Sequence, residues 1–459
     1  MQRRSFLGLG LSAGGLWATN AMAAASAPTT ASGGRAKQVL IVLEQGGLSH
    51  IDTWDPKPDA VAEHRSPFKP ISTSVPGVQL TELFAKTARH ADKLAIVRSM
   101  HHRQTGHGEG TQTMLQGFEP GGPLAMPDLG TAVSHLMGTA CGYLPPYVMV
   151  PGNHEQSGVT SPGFLSAEFK AFKTGGRDLS DPAWKMRDFS LLDGVDSRRL
   201  RDRHDLLSNL NIGVLPVGGP DSPAAVQRFQ EQAFNVLSNP RTSAAFDLSA
   251  ESDSTRDAYG RSHRGQCYLL GRRMVEEGVR FVVVDVREPE TAQTPGGFNM
   301  NWDHHDLIYT SGSCGTVRNK AGGEGRYGIA HWVMMGSTDQ AFAALLDDMQ
   351  QRGLLAETLV CFVTEFGRTP RLNQFQGRDH WSNAYSIAFA GAGIRGGQVI
   401  GDTDRDGGFI RDDPHTPQDY AATIHQLLGI DRAQPVYTRD QRPVFLTGEG
   451  RPIAALMNA

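Results

Sequence analysis

The chain has 459 residues, of which 39% are hydrophobic and 20% are charged, and its formal net charge is -4 at pH 7. This composition is typical of a soluble globular protein that is long enough for a large core or for two domains. No run of Lys and Arg is interleaved with aromatic residues, so nucleic-acid binding has no support. After the N-terminal stretch, no segment is long and apolar enough to cross a bilayer.

The N-terminus has the features of an export signal. Arg3 and Arg4 form a twin-arginine pair, and a Gly/Leu/Ala-rich apolar stretch and the small residues of 21–27 follow it. The apolar stretch is too short and too rich in glycine for a stable membrane span, although a plain N-terminal anchor is the alternative. We predict a signal peptide over residues 1–26, a flexible linker over 27–36, and export by the twin-arginine translocase to the periplasm or the cell exterior.

Six short apolar runs predict buried strands, because they are continuous rather than alternating. They cover residues 38–44, 94–98, 147–150, 280–286, 358–364 and 385–389. The segments between these runs carry residues at helical spacing, and helices are predicted to end at Gly278, Gly353 and Gly429. This alternation predicts an α/β fold whose mostly parallel central sheet carries helices on both faces. We predict one domain over residues 37–459, with a helical insertion at about 181–260.

The cysteines form no Cys-x-x-Cys pair, which argues against a zinc-finger or thioredoxin-type motif. Cys361 lies inside a predicted strand and is interpreted as a buried thiol. A disulfide between Cys141 and Cys314 after export is left open.

Potential metal ligands follow the ends of predicted strands, where open α/β sheets place their ligand sites. Glu365 comes directly after strand 358–364, and Asp379 and His380 follow within sixteen positions. The first strand ends at Glu44. Carboxylates and imidazoles are suitable ligands for a divalent cation, so these residues predict a metal site.

Two further segments carry candidate site residues. Asp303 and His305 project to the same side if their segment is extended, which suits the binding of one metal ion, whereas ordinary surface polarity is the alternative. His107 begins a helix that is predicted to end at Gly117, and the free N–H groups at a helix N-terminus favour a bound anion. Arg103 lies four residues before His107 and adds positive charge.

Several segments together resemble the DUF1501 family of exported proteins, a branch of the alkaline phosphatase/sulfatase superfamily. They are Gly46–Pro58, Val97–Met100, Trp302–His305, Glu365–Pro370, Gly377–Trp381 and Ala421–Gly429. The resemblance implies an alkaline-phosphatase-like α/β sandwich. It places His107, ten residues before Gly117, at the position of the sulfatase nucleophile, although the Cys/Ser-x-Pro-x-Arg pattern is absent. It also places Glu44 or Gln45 where the first metal-binding Asp lies, and Glu365 where Asp-His-Gly is usual.

The resemblance implies a metal-dependent hydrolase of phosphate or sulfate esters that acts outside the cytoplasm. The implied ligands of the divalent cation, zinc or calcium, are Asp303, His305, Glu365, Asp379, His380 and Glu44. In this interpretation His107 or a water attacks the ester, and Arg103 or Arg368 clamps the anion. Two alternatives are a non-catalytic sulfatase-like protein that binds a sulfated or phosphorylated glycan, and an envelope structural protein.

Overall fold

The structure is a computed structural model. It describes residues 35–152, 160–175, 178–184, 186, 196–210, 223–286, 302–310 and 327–457. The predicted signal peptide, almost all of the predicted linker, and Cys314 of the possible disulfide lie outside the described residues. Among the described residues, no helix has both the length and the apolar character that a membrane crossing requires.

An eight-stranded sheet forms the centre of the fold. Its strands are β1 Gln38–Leu43, β2 Ala95–Met100, β3 Tyr147–Pro151, β4 Phe172–Lys173, β5 Phe281–Asp285, β6 Thr358–Val363, β7 Tyr385–Ala390 and β8 Gln398–Ile400. In space they follow the order β8-β2-β7-β6-β1-β5-β3-β4, and every neighbouring pair is parallel except the two pairs that include β7. All six predicted strands are confirmed, with ends that shift by one or two residues.

Helices surround the sheet. They are α1 His107–Gln116, α2 Leu129–Met137, α3 Ser197–Leu210, α4 Pro223–Ser238, α5 Pro240–Ala245, α6 Asp253–Tyr259, α7 His263–Glu276, α8 Ser337–Gln351 and α9 Pro417–Leu427. The predicted stops hold, because Gly278, Gly353 and Gly429 follow α7, α8 and α9 with positive φ values, which glycine adopts without steric cost. Helices α3 to α6 lie within 181–260, where a helical insertion stays a prediction.

The sheet is covered on both faces, which explains why its strands are apolar without alternation. On one face, Leu40 and Val42 of β1 pack in a cluster that includes residues of α7 and α8. On the other face, Val39, Ile41 and Leu43 pack with residues of α1, α2 and α9. The predicted α/β fold, with a mostly parallel sheet between helices, is therefore confirmed.

Short antiparallel ribbons extend the loops around the sheet. They pair Pro70–Ser72 with Gln79–Thr81, Gly367–Arg368 with His380–Trp381, Asp402–Thr403 with Ile410–Asp412, and Val436–Tyr437 with Pro443–Val444. In the central sheet, Leu43 of β1 pairs with Asp285 of β5 on one side and with Val363 of β6 on the other. The segments that leave these three strands therefore start at one edge of the sheet.

Candidate metal centre

The side chain of Asp303 is the centre of a cluster at this edge. Its Oδ1 atom lies 3.1 Å from Nε2 of His107, 2.9 Å from Nε2 of His305 and 3.1 Å from Nε2 of His380. Side-chain atoms of His107, Asp303 and His380 lie within 4.8 Å of one another, close enough to hold one metal ion. Three imidazoles from separate segments thus face one carboxylate oxygen.

The other nitrogen of each imidazole is held by an acceptor. Nδ1 of His107 lies 2.6 Å from Oε1 of Glu365, and Nδ1 of His305 lies 2.8 Å from Oδ1 of Asp379. Nδ1 of His380 lies 2.5 Å from the backbone carbonyl oxygen of Thr105. An ionised carboxylate or a carbonyl oxygen only accepts, so each Nδ1 carries the proton and donates it. In the neutral imidazole, the lone pair is then on Nε2, the atom that faces Asp303.

The converging lone pairs form a set of potential ligands for one cation. Nε2 of His305 lies only 2.9 Å from Nε2 of His380, although both Nδ1 atoms already carry the donated proton. Nε2 of His107 is buried and makes no aligned hydrogen bond with any described residue, even though Asp303 is close. Ligands in a tetrahedral zinc site with bonds of about 2.0–2.1 Å lie roughly 3.3 Å apart. The distances of 2.9–3.1 Å from the imidazoles to Oδ1 of Asp303 are close to this value, and the group within 4.8 Å consists of His107, Asp303 and His380. The cluster therefore fits a bound cation.

Local structure explains how the imidazoles reach this point. His107 is the first residue of α1, which ends at Gln116 before Gly117 with φ 75°, as predicted. His380 pairs with Arg368 in the short ribbon that follows β6. The buried ring of Phe366 packs against both imidazoles, with ring centroids 5.1 Å from His107 and 4.6 Å from His380. Packing against one aromatic ring restricts the orientation of both ligands.

Two glycines allow close approach of the backbone at the centre. Gly47 has φ +66°, and a Cβ atom there would lie 2.6 Å from the Phe366 ring. At Gly377, a Cβ atom would lie 2.0 Å from the backbone of His305. Any side chain at either position would displace a residue that orients the imidazoles.

Glu44 lies in a different set of contacts from the one predicted. Its carboxylate accepts hydrogen bonds from Arg264 at 2.7 Å, Tyr268 at 2.6 Å and the indole N–H of Trp302 at 2.8 Å. Because Trp302 precedes Asp303 in the chain, Glu44 anchors the segment that carries the central carboxylate. The geometry does not favour Glu44 as a ligand, since both its oxygens are taken by these donors.

The two predicted anion clamps also lie elsewhere. Arg368 is fully buried and donates to the carbonyl oxygens of Gly46, Gly47 and Arg378 and to Oδ1 of Asp303 at 2.7 Å. It therefore orients Asp303 rather than facing solvent. Arg103 is exposed, and among the described residues no contact joins its guanidinium to the cluster. The other predicted site residues all contribute to the arrangement around Asp303.

Charges in the cluster shift its protonation equilibria. Burial lowers the pKa of His107, but the carboxylates of Asp303 and Glu365 outweigh burial and raise it to about 9. Burial raises the pKa of Asp303, but the three neighbouring imidazoles and the charge of Arg368 hold it well below its usual range. Burial also raises the pKa of Glu365, but the hydrogen bond and charge of His107 outweigh burial and lower it. Burial lowers the pKa of His380. Protons and a metal ion therefore compete for the same imidazoles.

We expect the metal-free protein to lose stability between about pH 6.5 and pH 9. The folded pKa of His107, about 9, lies above the ordinary value of 6.5, so its contribution is complete below pH 6.5 and is lost as the pH rises through 9. A shift of this size corresponds to about 3 kcal/mol of unfolding free energy. Urea unfolding in the presence of a chelator at several pH values measures it, and His107→Gln should flatten the profile. An equally steep profile in that variant would contradict the assignment.

Sequence patterns did not indicate several residues that shape this centre. The Thr105 carbonyl and the Gly46 N–H, which donates to Glu365 at 2.7 Å, are backbone groups without a side-chain signal. Asn373 donates from Nδ2 to the carbonyl oxygen of His305 at 2.9 Å and to Asp379 at 3.0 Å. An Asn near a Gly is ordinarily interpreted as a turn residue, so its position alone gives no hint of this role.

The fold and this cluster define an α/β protein with a candidate metal centre at one edge of its sheet. The chain belongs to the family described as Protein of unknown function (DUF1501), whose family model matches residues 36–457. The resemblance inferred from the sequence motifs is therefore confirmed. No curated protein matches the chain.

Several solved structures are similar to most of the chain at low identity. A protein from the locus for metabolism of multiple glycosaminoglycans in Bacteroides thetaiotaomicron has 13% identity and a TM-score of 0.40, covering 92% of this chain and 76% of that one. The phosphonate monoester hydrolase of Silicibacter pomeroyi has 13% identity and a TM-score of 0.39, covering 92% and 77%. The lipoteichoic acid synthase LtaP of Listeria monocytogenes has 9% identity and a TM-score of 0.37, covering 92% and 78%. With TM-scores below 0.5, these similarities carry no argument about function.

Proposed function

We propose that the protein is a metal-dependent hydrolase of phosphate or sulfate esters. One observation carries this proposal: three imidazole Nε2 atoms converge on Asp303 while an acceptor holds each opposite Nδ1. Metal-binding histidines commonly donate their second N–H to a carboxylate or a backbone carbonyl, which fixes the tautomer and the ring orientation. The ester class follows from the resemblance to the alkaline phosphatase/sulfatase superfamily.

The donor set favours zinc or a similar transition metal over calcium. Calcium takes six to eight oxygen ligands, whereas His107, His305, His380 and Asp303 offer three nitrogens and one carboxylate oxygen. Imidazole nitrogens and a carboxylate are ordinary zinc ligands. In this arrangement Glu365 and Asp379 hold the ligating imidazoles instead of binding the metal themselves.

In this proposal, some residues bind the metal and others orient the residues that bind it. Arg368 fixes Asp303, and Glu365 fixes His107, so the negative charge of each carboxylate is matched by a donor before any ligand arrives. A divalent cation bound here supplies Lewis acidity towards an ester oxygen and lowers the pKa of a bound water. The donation from Nδ1 to Glu365, together with Nε2 facing Asp303, supports a role for His107 as a ligand rather than as a nucleophile.

The test combines metal analysis with turnover assays on the mature protein. We expect protein purified without added metal to contain a transition metal in near-stoichiometric amount, and we expect it to hydrolyse aryl phosphate or aryl sulfate esters. Removal of the metal by a chelator should abolish turnover, and its return should restore it. A metal content without turnover on any such ester would instead support the non-catalytic binding protein. Absence of both metal and turnover would support the structural protein.

We also propose that residues 1–26 direct export through the twin-arginine translocase. The pair Arg3 and Arg4 supports this proposal, because a receptor recognises it as an address. Changing both to lysine should retain the protein in the cytoplasm, which cell fractionation with an antibody measures. Unchanged periplasmic yield from the double variant would refute the assignment.

A further inference from the structure

One side of the cluster is open to solvent. The side chains of His107 and Asp303 are only 14% and 18% exposed, whereas those of His305 and Asp379 are 38% and 53% exposed. A molecule from solution therefore reaches the cluster from the side of His305 and Asp379.

A cleft lies on this open side. It has a volume of about 520 Å³ and is lined by Thr369, Arg371, Leu372, Asn373, Gln374 and Asp379. Its volume is within the range of ordinary small-molecule sites, which begins at about 300 Å³. Because Asp379 belongs both to the cleft and to the cluster, a ligand in the cleft adjoins the candidate metal centre.

Arg371 supplies the unpaired cation of this cleft. The neighbouring Arg368 and Arg378 are fully buried, and carbonyl oxygens, Asp303, Asp52 and the hydroxyl of Tyr309 occupy their donors. Arg371, in contrast, is exposed, and no described residue makes a hydrogen bond or an ion pair with its guanidinium. Its donors are therefore available to a ligand.

The backbone that carries Arg371 is tied to the cluster. The hydroxyl of Thr369 donates to the carbonyl oxygen of Arg371 at 3.0 Å and accepts the N–H of Asp379 at 3.0 Å. Asn373 bridges to His305 and Asp379, and the guanidinium of Arg378 donates to the carbonyl oxygen of Pro370. These bonds fix the position of the Arg371 backbone relative to the imidazoles.

We propose that Arg371 binds the anionic group of the substrate in this cleft. A guanidinium presents paired N–H donors that match two oxygens of a phosphate or sulfate group. This inference rests on the proposed function, since it assigns the anion-binding residue of that site. It also replaces Arg368 and Arg103, which the sequence indicated, with a residue that lines the cleft.

The experiment measures binding of inorganic phosphate and sulfate to the zinc-loaded protein by calorimetry. Arg371→Gln should weaken binding of the bound anion roughly 10- to 100-fold, the effect of losing hydrogen bonds from a charged donor. The zinc content should stay unchanged, because Arg371 touches none of the imidazoles. With an active ester, the same variant should raise KM and leave kcat nearly unchanged. Arg371→Lys should restore part of the affinity.

Arg395→Gln is the matched control. Arg395 is exposed and precedes β8, whose first residue pairs with the first residue of β2. Arg395 therefore lies near the amino-terminal ends of the strands, whereas the cluster lies near their carboxyl-terminal ends. Parent-like anion affinity of Arg371→Gln, or zinc-loaded parent protein that binds neither anion, would overturn the inference. If the parent binds no metal, the proposed function fails, and the same phosphate titration of metal-free parent and Arg371→Gln decides the inference separately.

Discussion

Asp303→Asn is expected to abolish zinc binding at the proposed centre. The carboxylate oxygen of Asp303 is the atom on which three imidazoles converge, and it also accepts from Arg368. Loss of a group that only hydrogen-bonds to a metal ligand lowers metal affinity by roughly 10- to 100-fold. Loss of the central carboxylate should therefore lower zinc affinity by more than about 100-fold. Metal analysis after dialysis, zinc titration by calorimetry and ester turnover measure the effect.

Two companion variants make this result interpretable. Asp379→Asn, which weakens the acceptor of His305 Nδ1 and of Asn373 without removing an imidazole, should lower zinc affinity by roughly 10-fold. Asp412→Asn, at an exposed carboxylate of a peripheral ribbon, should leave it unchanged. Circular dichroism must show a folded Asp303→Asn protein, which should be less stable without metal by about 3 kcal/mol because buried Arg368 loses its carboxylate partner. Full zinc affinity in that variant would refute the centre.

The strands were predictable because strands buried on both faces are apolar at nearly every position. Residues 281–285 and 358–363 are apolar at nearly every position, and each is a fully buried strand. The edge strands Phe172–Lys173 and Gln398–Ile400 were missed, since they are short and partly exposed. The reversed direction of Tyr385–Ala390 left no signal, because an antiparallel strand buried on both faces has the same apolar pattern as a parallel one.

The types of residue in the candidate site were also predictable, because metal ligands come from a short list of side chains. Glu365, Asp379 and His380 follow β6, and their position past a strand end pointed to the sheet edge where they lie. Their individual contacts were not predictable. Whether a carboxylate faces the centre or the far nitrogen of an imidazole depends on a few ångströms of loop geometry, and sequence spacing does not record that distance.

Partners that are distant along the chain explain the remaining discrepancies. Glu44 pairs with Arg264 and Tyr268, more than 200 positions away, and this burial of both oxygens has no local signature. Arg368 and Arg371 differ by only three positions, yet the first is fully buried behind Asp303 and the second is exposed in the cleft. Arg368 is held by the ribbon between Gly367–Arg368 and His380–Trp381, whereas Arg371 lies beyond the end of that ribbon.

His107→Ala is expected to lose both the proposed zinc binding and the proposed ester turnover. One imidazole nitrogen disappears from the centre, so zinc affinity should fall by more than about 100-fold, and turnover should fall with metal content. The metal-free variant should also be less stable at pH 7 by roughly 1–3 kcal/mol, because the buried carboxylate of Glu365 loses a charged hydrogen-bond donor. Zinc calorimetry, turnover with saturating zinc, and urea unfolding give the three readouts.

The comparison of His107→Ala with His107→Ser distinguishes a ligand from a nucleophile. A serine restores a hydroxyl where sulfatases carry their nucleophile, but it restores no imidazole lone pair, so it should bind zinc as weakly as the alanine variant. His64→Gln is the matched control, since His64 is a half-buried histidine paired with Asp406 outside the cluster, and it should keep full zinc affinity. If His107→Ala keeps its zinc but loses turnover, His107 is the attacking group, as the superfamily resemblance implied. If the His107→Ala variant loses only stability, the role of His107 is structural, and His107 is not a ligand of the centre.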